Sequence, residues 1–364
     1  MLTRRLPPLE TTLQINSLAY GGAGVGRLDD GRVCFVHGTL PGEQVTVRVV
    51  KSKKNHAEAV IIELLEASPR RVTPPCALFG ACGGCAYQHA DYALQLETKT
   101  SQVVELLRRI GGLPGAPVTP MIASPAEWSY RNRIAVHTDQ GHTGFFHRHT
   151  HKLVDVPTCP IASAGVNDKL NEFRKKPPRQ PGRYTIGENS AGRGFTQVNA
   201  DAAELLAGVV VGYCGQGDLL VDAYSGAGFL SKRLVERFAK VVGIEWSEAA
   251  TRRAMESAAA NESHLTGSVE ALLPEVLSQA PAKGTALIVD PPAEGLSPDV
   301  LHTILAHPPE TLVYVSCDPS TFARDAKKLS EIYDLAAVQP VDMFPQTAEI
   351  ELAASFTRRT SLIN

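Results

Sequence analysis

The segment Leu219-Leu220-Val221-Asp222-Ala223-Tyr224-Ser225-Gly226-Ala227-Gly228 decides the fold class of this chain. Its apolar start predicts a buried strand, and its glycines predict a tight turn at which the backbone can approach a ligand closely. We expect a helix at 229–238 to follow, with its N-terminus at the turn. Around this segment strands and helices alternate, with a strand at 241–244 and helices at 200–211 and 248–261. That alternation predicts a doubly wound, Rossmann-like α/β domain over residues 194–364.

The acid Glu245 follows the next predicted strand, about 20 residues after the glycine turn, where an acid can accept hydrogen bonds from ribose hydroxyls. The dinucleotide fingerprint G-x-G-x-x-G is not met, because Ser231 occupies the third glycine position. The pattern therefore favours S-adenosylmethionine (SAM) over a dinucleotide. The alternative is a glycine turn with a purely structural role.

A thiol and two acids stand at the ends of further predicted strands. Cys317 follows the apolar run 312–315, and Asp290 follows 288–289 and precedes two prolines. Glu351 lies where a C-terminal strand is expected to begin. A thiol at a strand end is a candidate nucleophile, and the acid on a neighbouring strand strengthens that interpretation. The alternative is a buried structural cysteine.

Length and charge point to a multidomain RNA-binding protein. The 364 residues contain no apolar run long enough to cross a membrane and no signal peptide, so we expect a cytoplasmic protein, most simply a monomer. Residues 1–200 contain 24 basic and 16 acidic residues, and residues 201–364 contain 12 and 22. A basic front half fits an RNA-binding module joined to a catalytic domain, although compositional scatter is the simpler alternative.

Residues 9–68 contain short strands separated by glycine turns, which predicts a small β-barrel resembling an OB fold. Residues 69–193 are predicted as a central α+β domain with a helix at 91–110, strands at 128–138, 144–147 and 152–156, and a basic connector at 173–182. Arginines and aromatic residues in 129–133 and 145–148 are candidate RNA contacts, with Arg131 and Arg133 on one strand face; a solvated face is the alternative. The basic cluster Arg48, Lys51, Lys53 and Lys54 is a second candidate for RNA contact.

Four of the seven cysteines form a pattern typical of a metal site. Cys76-x5-Cys82-x2-Cys85 lies in a predicted loop, and Cys159 follows 74 residues later. Four thiolates suit either zinc or an iron–sulfur cluster, and spacing alone does not separate the two.

Several motifs together resemble the RNA uracil-5-methyltransferase family, in particular its iron–sulfur branch, which modifies 23S ribosomal RNA. Residues 9–68 resemble the TRAM domain of that family. The catalytic half carries five motifs in the family's order: Phe195-Thr196-Gln197-Val198-Asn199, residues 222–228, Asp290-Pro291-Pro292, Ser316-Cys317-Asp318-Pro319, and Phe344-Pro345-x-Thr347 continuing to Glu351. The resemblance covers nearly the whole chain and implies a C-terminal Rossmann-like class I methyltransferase domain.

The resemblance also implies ligands and roles. SAM would bind at Gln197, Tyr224, Gly226, Gly228, Glu245, Ser268 and Asp290, and a [4Fe–4S] cluster would be held by Cys76, Cys82, Cys85 and Cys159. The Cys317 thiolate would add to carbon-6 of a flipped uracil, the resulting enolate would take the methyl group at carbon-5, and Glu351 would remove the carbon-5 proton. Asp290 would support the base.

Three positions depart from the family pattern. Ala293 stands where an arginine usually follows Asp-Pro-Pro, Glu349 stands where a histidine usually precedes the base, and Phe229 replaces a common polar residue. Glu349 is therefore a second candidate for the base. These departures leave open a different target base or an RNA-binding member of the family with weakened catalysis. A transfer RNA substrate is a third alternative, because the layout of TRAM domain and cluster occurs with both RNAs in the family.

Overall fold

The computed structural model describes residues 9–148, 150–188, 197–281 and 283–359. The motif residues Phe195 and Thr196 lie outside the described residues. The described chain forms two compact units: the first comprises 9–102, 126–188 and 345–348, and the second comprises 103–125, 197–344 and 349–359, each with the gaps given above. None of the helices in these ranges is both long enough and apolar enough to span a bilayer.

The first unit begins with a curled six-stranded sheet. Its strands are β1 (Glu10–Gln14), β2 (Ser17–Leu18), β3 (Ala23–Arg27), β4 (Val33–His37), β5 (Gln44–Ser52) and β6 (His56–Glu66), in the order β1-β5-β6-β4-β3-β2. Leu13 of the edge strand β1 and Leu28, which follows β3, share one core with Val36 and Val47. Residues from near the two opposite edges of the sheet meet in this core. The sheet must therefore curl, as expected for a small barrel.

Helix α1 (Tyr92–Leu106) follows the curled sheet and continues into a π-helical turn at Leu107–Gly111. Gly112 ends it with φ = 64°, a left-handed conformation that glycine adopts at low cost. The predicted helix at 91–110 is confirmed, together with its glycine stop.

The first unit also contains an antiparallel sheet of β7 (Arg133–Asp139), β8 (His142–Phe146), β9 (Leu153–Asp155) and β10 (Gly182–Gly187), in the order β10-β7-β8-β9. Helix α2 (Ala164–Lys175), capped by Ser163, packs Val166 and Leu170 against its buried face. The basic connector predicted at 173–182 is wrong in its first part, which is the end of α2. The spacing of Val166, Leu170 and Phe173 is helical and could have predicted this element.

The predicted strand at 128–138 is too long at its start, because β7 begins at Arg133. Arg131 instead forms an isolated bridge with Ala162, and its N–H donates to Ile161 O at 2.8 Å. The expectation that Arg131 and Arg133 share one strand face is therefore wrong.

The second unit is a seven-stranded sheet between helices. In chain order its elements are α3 (Ala200–Cys214), β11 (Gly217–Ala223), β12 (Phe238–Glu245), α4 (Glu248–Glu256), β13 (Glu262–Thr266), α5 (Val269–Ser278), β14 (Thr285–Val289), α6 (Pro298–Ala306), β15 (Thr311–Ser316), α7 (Pro319–Leu329), β16 (Tyr333–Val341) and β17 (Glu351–Arg358). The strand order is β13-β12-β11-β14-β15-β17-β16. Only β17 runs antiparallel to its neighbours among these seven strands. The predicted Rossmann-like domain is confirmed, with this one reversed strand as an addition.

The helix predicted at 229–238 is wrong. Between β11 and β12 the described chain forms successive turns and one short 3₁₀ turn at Ser231–Arg233. Only 14 residues, 224–237, separate the two strands, and the first of them are used by the glycine turn. The backbone N–H groups of Arg233, Leu234 and Arg237 each donate to the carbonyl three residues earlier, so the segment is wound more tightly than an α-helix.

Candidate active site

The predicted site residues of the second unit stand along the carboxyl edge of its parallel strands. The chain runs outward in both directions from the neighbouring strands β11 and β14, so the sheet has its topological switch point between them. Tyr224 follows β11 and Asp290 follows β14, one on each side of that point. In open α/β sheets ligands bind in the crevice at this position.

The glycine turn is open toward solvent at its tip. Gly226 has φ = 55°, and an added Cβ there would meet no atom within 4 Å. Tyr224 has φ = 66°, which is uncommon for a residue with a side chain and marks a constrained turn. The turn therefore leaves exposed backbone and free space where a ligand could approach.

Glu245 fixes this turn to the end of β12. Its carboxylate accepts hydrogen bonds from Gly226 N at 3.0 Å and from Ser247 N at 2.7 Å. Both oxygens keep a second lone pair, so the carboxylate can still accept from a ligand hydroxyl. Gly267 N donates to Glu245 O, which brings the following residue, Ser268, to the same edge, where it caps α5.

Gln197 lies two residues before Asn199, the N-cap of α3, and is half-buried. The Asn199 side chain donates to Ser124 Oγ at 3.0 Å and to Met343 O at 3.2 Å, and it accepts from Ala202 N. Asn199 thus anchors the chain just after Gln197. The sequence did not single out this anchoring role.

Cys317 is exposed and lies directly after the central strand β15. The last pair of the β15–β17 ladder joins Ser316 to Leu352, so the next pair outward would be Cys317 and Glu351. On the other side of β15 lies β14, which ends next to Asp290. The strand order therefore places Cys317 between Asp290 on one side and Glu351 on the other.

Burial and mutual repulsion alter the pKa values of these groups. Although Cys317 is exposed, partial burial of its sulfur, with smaller contributions from Glu351 and Asp290, raises the pKa of the thiol to about 12. Burial raises the pKa of Asp290 to about 6. Burial, together with Asp290 and Glu349, raises the pKa of Glu351 well above its ordinary value. The thiol is thus protonated at neutral pH and needs a proton acceptor before it can attack.

Asp222, at the start of the glycine turn, is a further perturbed acid. Its side chain is buried, and burial raises its pKa to about 7, partly offset by hydrogen bonding to Ser231 and increased by nearby Asp290 and Glu262. Its Oδ2 accepts from Ser231 N at 3.2 Å, which closes the turn on itself. Its position within the motif was the only sequence signal for this role.

Three residues of α7 hold the loop that follows Asp290. Thr321 Oγ1 donates to Ala293 O at 2.9 Å, Arg324 donates to Glu294 O at 2.8 Å, and the buried carboxylate of Asp325 accepts from Leu296 N at 2.8 Å. Gly295 must lack a side chain because an added Cβ would lie 2.5 Å from Asp325 Oδ2. Since α7 begins two residues after Cys317, this network links the thiol to the Asp290 loop. No sequence pattern pointed to it.

The four cysteines predicted to bind a metal all lie in the first unit. Burial, with smaller contributions from Cys159 and Cys82, raises the pKa of Cys85 to about 12, so these three sulfurs lie within electrostatic range of one another. Across the residues that the structure describes, no group of three or more His, Cys, Asp or Glu side chains is placed to hold a metal ion. The structure does not confirm the predicted iron–sulfur site.

A Rossmann-like sheet with a glycine turn at its switch point and an exposed thiol beside it defines a cofactor-dependent α/β enzyme. Comparison with known proteins narrows this class. A TRAM-domain family model matches residues 10–62, and the tRNA (uracil-5-)-methyltransferase model matches residues 278–359.

Relatives match over nearly the full chain. A protein of Synechocystis sp. described as an uncharacterized RNA methyltransferase is 31% identical, over 94% of each chain. One with the same description from Bdellovibrio bacteriovorus is 31% identical, over 94% of this chain and 93% of its own. The chain belongs to the RNA uracil-5-methyltransferase family and is a SAM-dependent RNA methyltransferase.

A solved structure confirms the fold. The crystal structure of the Pyrococcus abyssi tRNA (uracil-54, C5)-methyltransferase, in complex with S-adenosyl-L-homocysteine, aligns with a TM-score of 0.68 at 24% identity. It covers 95% of this chain and 100% of its own. The predicted TRAM domain and methyltransferase fold are thereby confirmed.

Proposed function

We propose that the protein methylates carbon-5 of a uridine in RNA, with 23S ribosomal RNA as the preferred substrate, through a covalent bond between Cys317 and uracil. The observation that carries this proposal is the exposed position of Cys317 between Asp290 and Glu351, at the same sheet edge as the glycine turn. A buried structural cysteine, the main alternative, would lie inside the core.

The residues around the glycine turn fit a nucleoside cofactor. Gly226 leaves open space, and Glu245 keeps acceptor capacity for ribose hydroxyls. Gln197, Tyr224, Gly228 and Ser268 are further proposed contacts, and Asp290 borders the same crevice. SAM, when bound, supplies an electrophilic methyl group.

Cys317, Asp290 and Glu351 each have one role in the proposed reaction, either forming a bond or accepting a proton. Asp290, whose pKa is raised only to about 6, is ionised at neutral pH and accepts the thiol proton as Cys317 Sγ bonds to carbon-6 of uracil. The addition makes carbon-5 nucleophilic. Carbon-5 then takes the methyl group as the bond from that methyl to the sulfonium sulfur of SAM breaks, with S-adenosylhomocysteine as the leaving group. Glu351 then takes the carbon-5 proton, the bond from Sγ to carbon-6 breaks, and Asp290 returns its proton to the thiolate.

The test of this function is product analysis. Purified protein is incubated with SAM and RNA from cells that lack uridine-5 methylation, with ribosomal and transfer RNA supplied separately. We expect 5-methyluridine in the ribosomal fraction. Product in transfer RNA alone would favour that substrate, the choice indicated by the description of the matching family model. No 5-methyluridine in either fraction, with SAM binding intact, would overturn the proposal and favour the weakened RNA-binding member.

Glu349 affects the pKa of Glu351, the proposed base. Replacing Glu349 should therefore change how methylation depends on pH. The negative charge of Glu349 contributes to the raised pKa of Glu351. A raised pKa leaves less carboxylate at low pH, so methylation is lost as pH falls through it. Glu349→Gln is expected to move this acidic limb of the pH–rate profile to lower pH and to retain the maximal rate. Loss of activity at every pH would instead make Glu349 the base.

We also propose that Cys76, Cys82, Cys85 and Cys159 hold a [4Fe–4S] cluster that stabilises the central part of the first unit. Such a cluster takes one thiolate per iron, so its four cysteine sulfurs lie farther from one another than four sulfurs that bind a single zinc ion. Gly84 N donates to Cys82 Sγ at 3.5 Å, the kind of hydrogen bond that supports a ligating sulfur.

Metal analysis tests the cluster. Protein purified without oxygen is expected to contain about four irons and matching acid-labile sulfide per chain. Cys159→Ala should lose most of this iron and unfold more readily. Cys34→Ala is the matched control for iron content. Cys34 lies in the core of the curled sheet and is not one of the four proposed ligands, so this variant should keep its iron. Stoichiometric zinc without iron would reject the assignment.

A further inference from the structure

The sheet β10-β7-β8-β9 of the first unit has one buried face and one open face. Ile134, Val136 and Ile186 point into the core beside α2. Because side chains alternate along a strand, the residues between them lie on the opposite face. We propose that this open face is a stacking platform for an unpaired RNA base, with Phe146 as the stacking ring and Arg183 as a phosphate contact.

The adjacent aromatic residues Phe145 and Phe146 of β8 lie on opposite faces of the sheet. Phe145 packs against the buried core. Phe146 faces the open side and keeps 38% of its surface exposed. The pair was predicted from the sequence as one RNA-contacting set, whereas only Phe146 offers a ring to a ligand.

Two histidine rings hold Phe146 in place. The His137 ring lies 4.1 Å from that of Phe146 with a tilt of 32°, and the His151 ring meets it edge-on at 5.7 Å. Fixing the ring before binding lowers the entropy lost when a base stacks on it. A lone, mobile phenylalanine would give a weaker platform.

The open face carries two arginines as well as an exposed acid, Asp139, at the end of β7. Arg183 of β10 is exposed and pairs in register with His137, and Arg133 lies on the same face of β7. Asp155, on the neighbouring β9, is already engaged by Arg174 at 2.6 Å. Aromatic rings flanked by arginines bind single-stranded RNA, because bases stack on the rings while phosphates contact the guanidinium groups.

This inference rests on the proposed function for its choice of RNA, and binding assays test it apart from catalysis. The probe is a fluorescein-labelled single-stranded oligoribonucleotide of about 12 nucleotides, within the usual site size. The same sequence annealed to its complement is the second probe. Phe146→Ala is expected to weaken binding of the single strand by about tenfold or more and to leave duplex binding unchanged, because paired bases cannot stack on a side chain.

Three further variants sharpen the test. Phe146→Trp should restore binding, since it keeps an aromatic face. Arg183→Glu should weaken binding and reduce its salt dependence, whereas Arg252→Glu, on the exposed face of α4 in the second unit, should not. With methylatable RNA, Phe146→Ala should raise KM and leave kcat nearly unchanged.

Equal single-strand affinity of the wild type and Phe146→Ala, or equal losses on both probes, would overturn the platform. Failure of the wild type to form 5-methyluridine would overturn the proposed function and leave these affinity ratios as they are. The two failures are therefore distinguishable.

Discussion

Cys317→Ala is expected to abolish 5-methyluridine formation, lowering the rate by about 10⁴-fold or more, because the covalent route has no other nucleophile. Cys317 is the exposed thiol between Asp290 and Glu351, and uracil carbon-5 is too weak a nucleophile to react without an addition at carbon-6. The measurement is transfer of labelled methyl groups from SAM to RNA, with nucleoside analysis of the product. SAM affinity should stay within about twofold of wild type, since Cys317 lies outside the glycine turn.

Cys317→Ser is the conservative companion of this variant. It keeps the size and polarity of the side chain but replaces a thiol with a hydroxyl that is far harder to deprotonate, so it should be nearly as inactive. A Cys317→Ser enzyme with substantial activity would show that the side chain only fills space. The account of covalent catalysis would then be wrong.

Glu351→Gln should trap the reaction after methyl transfer. The amide cannot take the carbon-5 proton, so the bond between Cys317 Sγ and carbon-6 cannot break by elimination. Turnover is expected to fall by about 10²–10⁴-fold, the usual contribution of a general base. A methylated protein–RNA complex should accumulate and remain intact on a denaturing gel, visible as labelled RNA that migrates with the protein.

Glu349→Gln is the matched control for this experiment, because Glu349 is an exposed acid two residues away. It should turn over without accumulating the complex. If Glu349→Gln accumulated the complex and Glu351→Gln did not, the two acids would exchange roles. If neither variant accumulated it, Asp290 would become the candidate for the base.

Much of the catalytic unit could be predicted from local sequence signals. The strands before Asp222, Asp290 and Cys317 are short apolar runs, and a buried parallel strand requires such a run. Glu351 was expected where a strand begins, and β17 begins there. Asp222, Asp290 and Cys317 lie at one edge of the sheet because parallel strands align their carboxyl ends.

The reversed direction of β17 could not be predicted in this way. Strand direction depends on how the chain returns to the sheet, and it is this reversal that places the start of β17, with Glu351, opposite the end of β15. The absent helix at 229–238 has a similar cause. The apolar spacing of Leu230, Leu234 and Phe238 is helical, but the short crossover and the bond from Ser231 N to Asp222 override it.

The hydrogen bonds that hold the loop after Asp290 in place also could not be predicted from the sequence. Asp325 joins Tyr314 and Leu296, residues far apart in the chain, through its buried carboxylate. Only the folded arrangement shows that this acid is paired and that Gly295 must be small. Likewise, the separation of Phe146 from Phe145 required knowing where β8 begins and which of its faces is covered by α2.

The central claim is that Cys317 bonds to the target base, and trapping that bond tests it most directly. RNA containing 5-fluorouridine cannot lose the carbon-5 substituent as a proton, so wild-type protein with SAM should remain covalently attached to it. Digestion with protease and nuclease followed by mass spectrometry identifies the attached residue. The account predicts a methylated fluorouridine on the peptide that contains Cys317. Attachment through another residue, or no adduct from a preparation that forms 5-methyluridine on normal RNA, would contradict it.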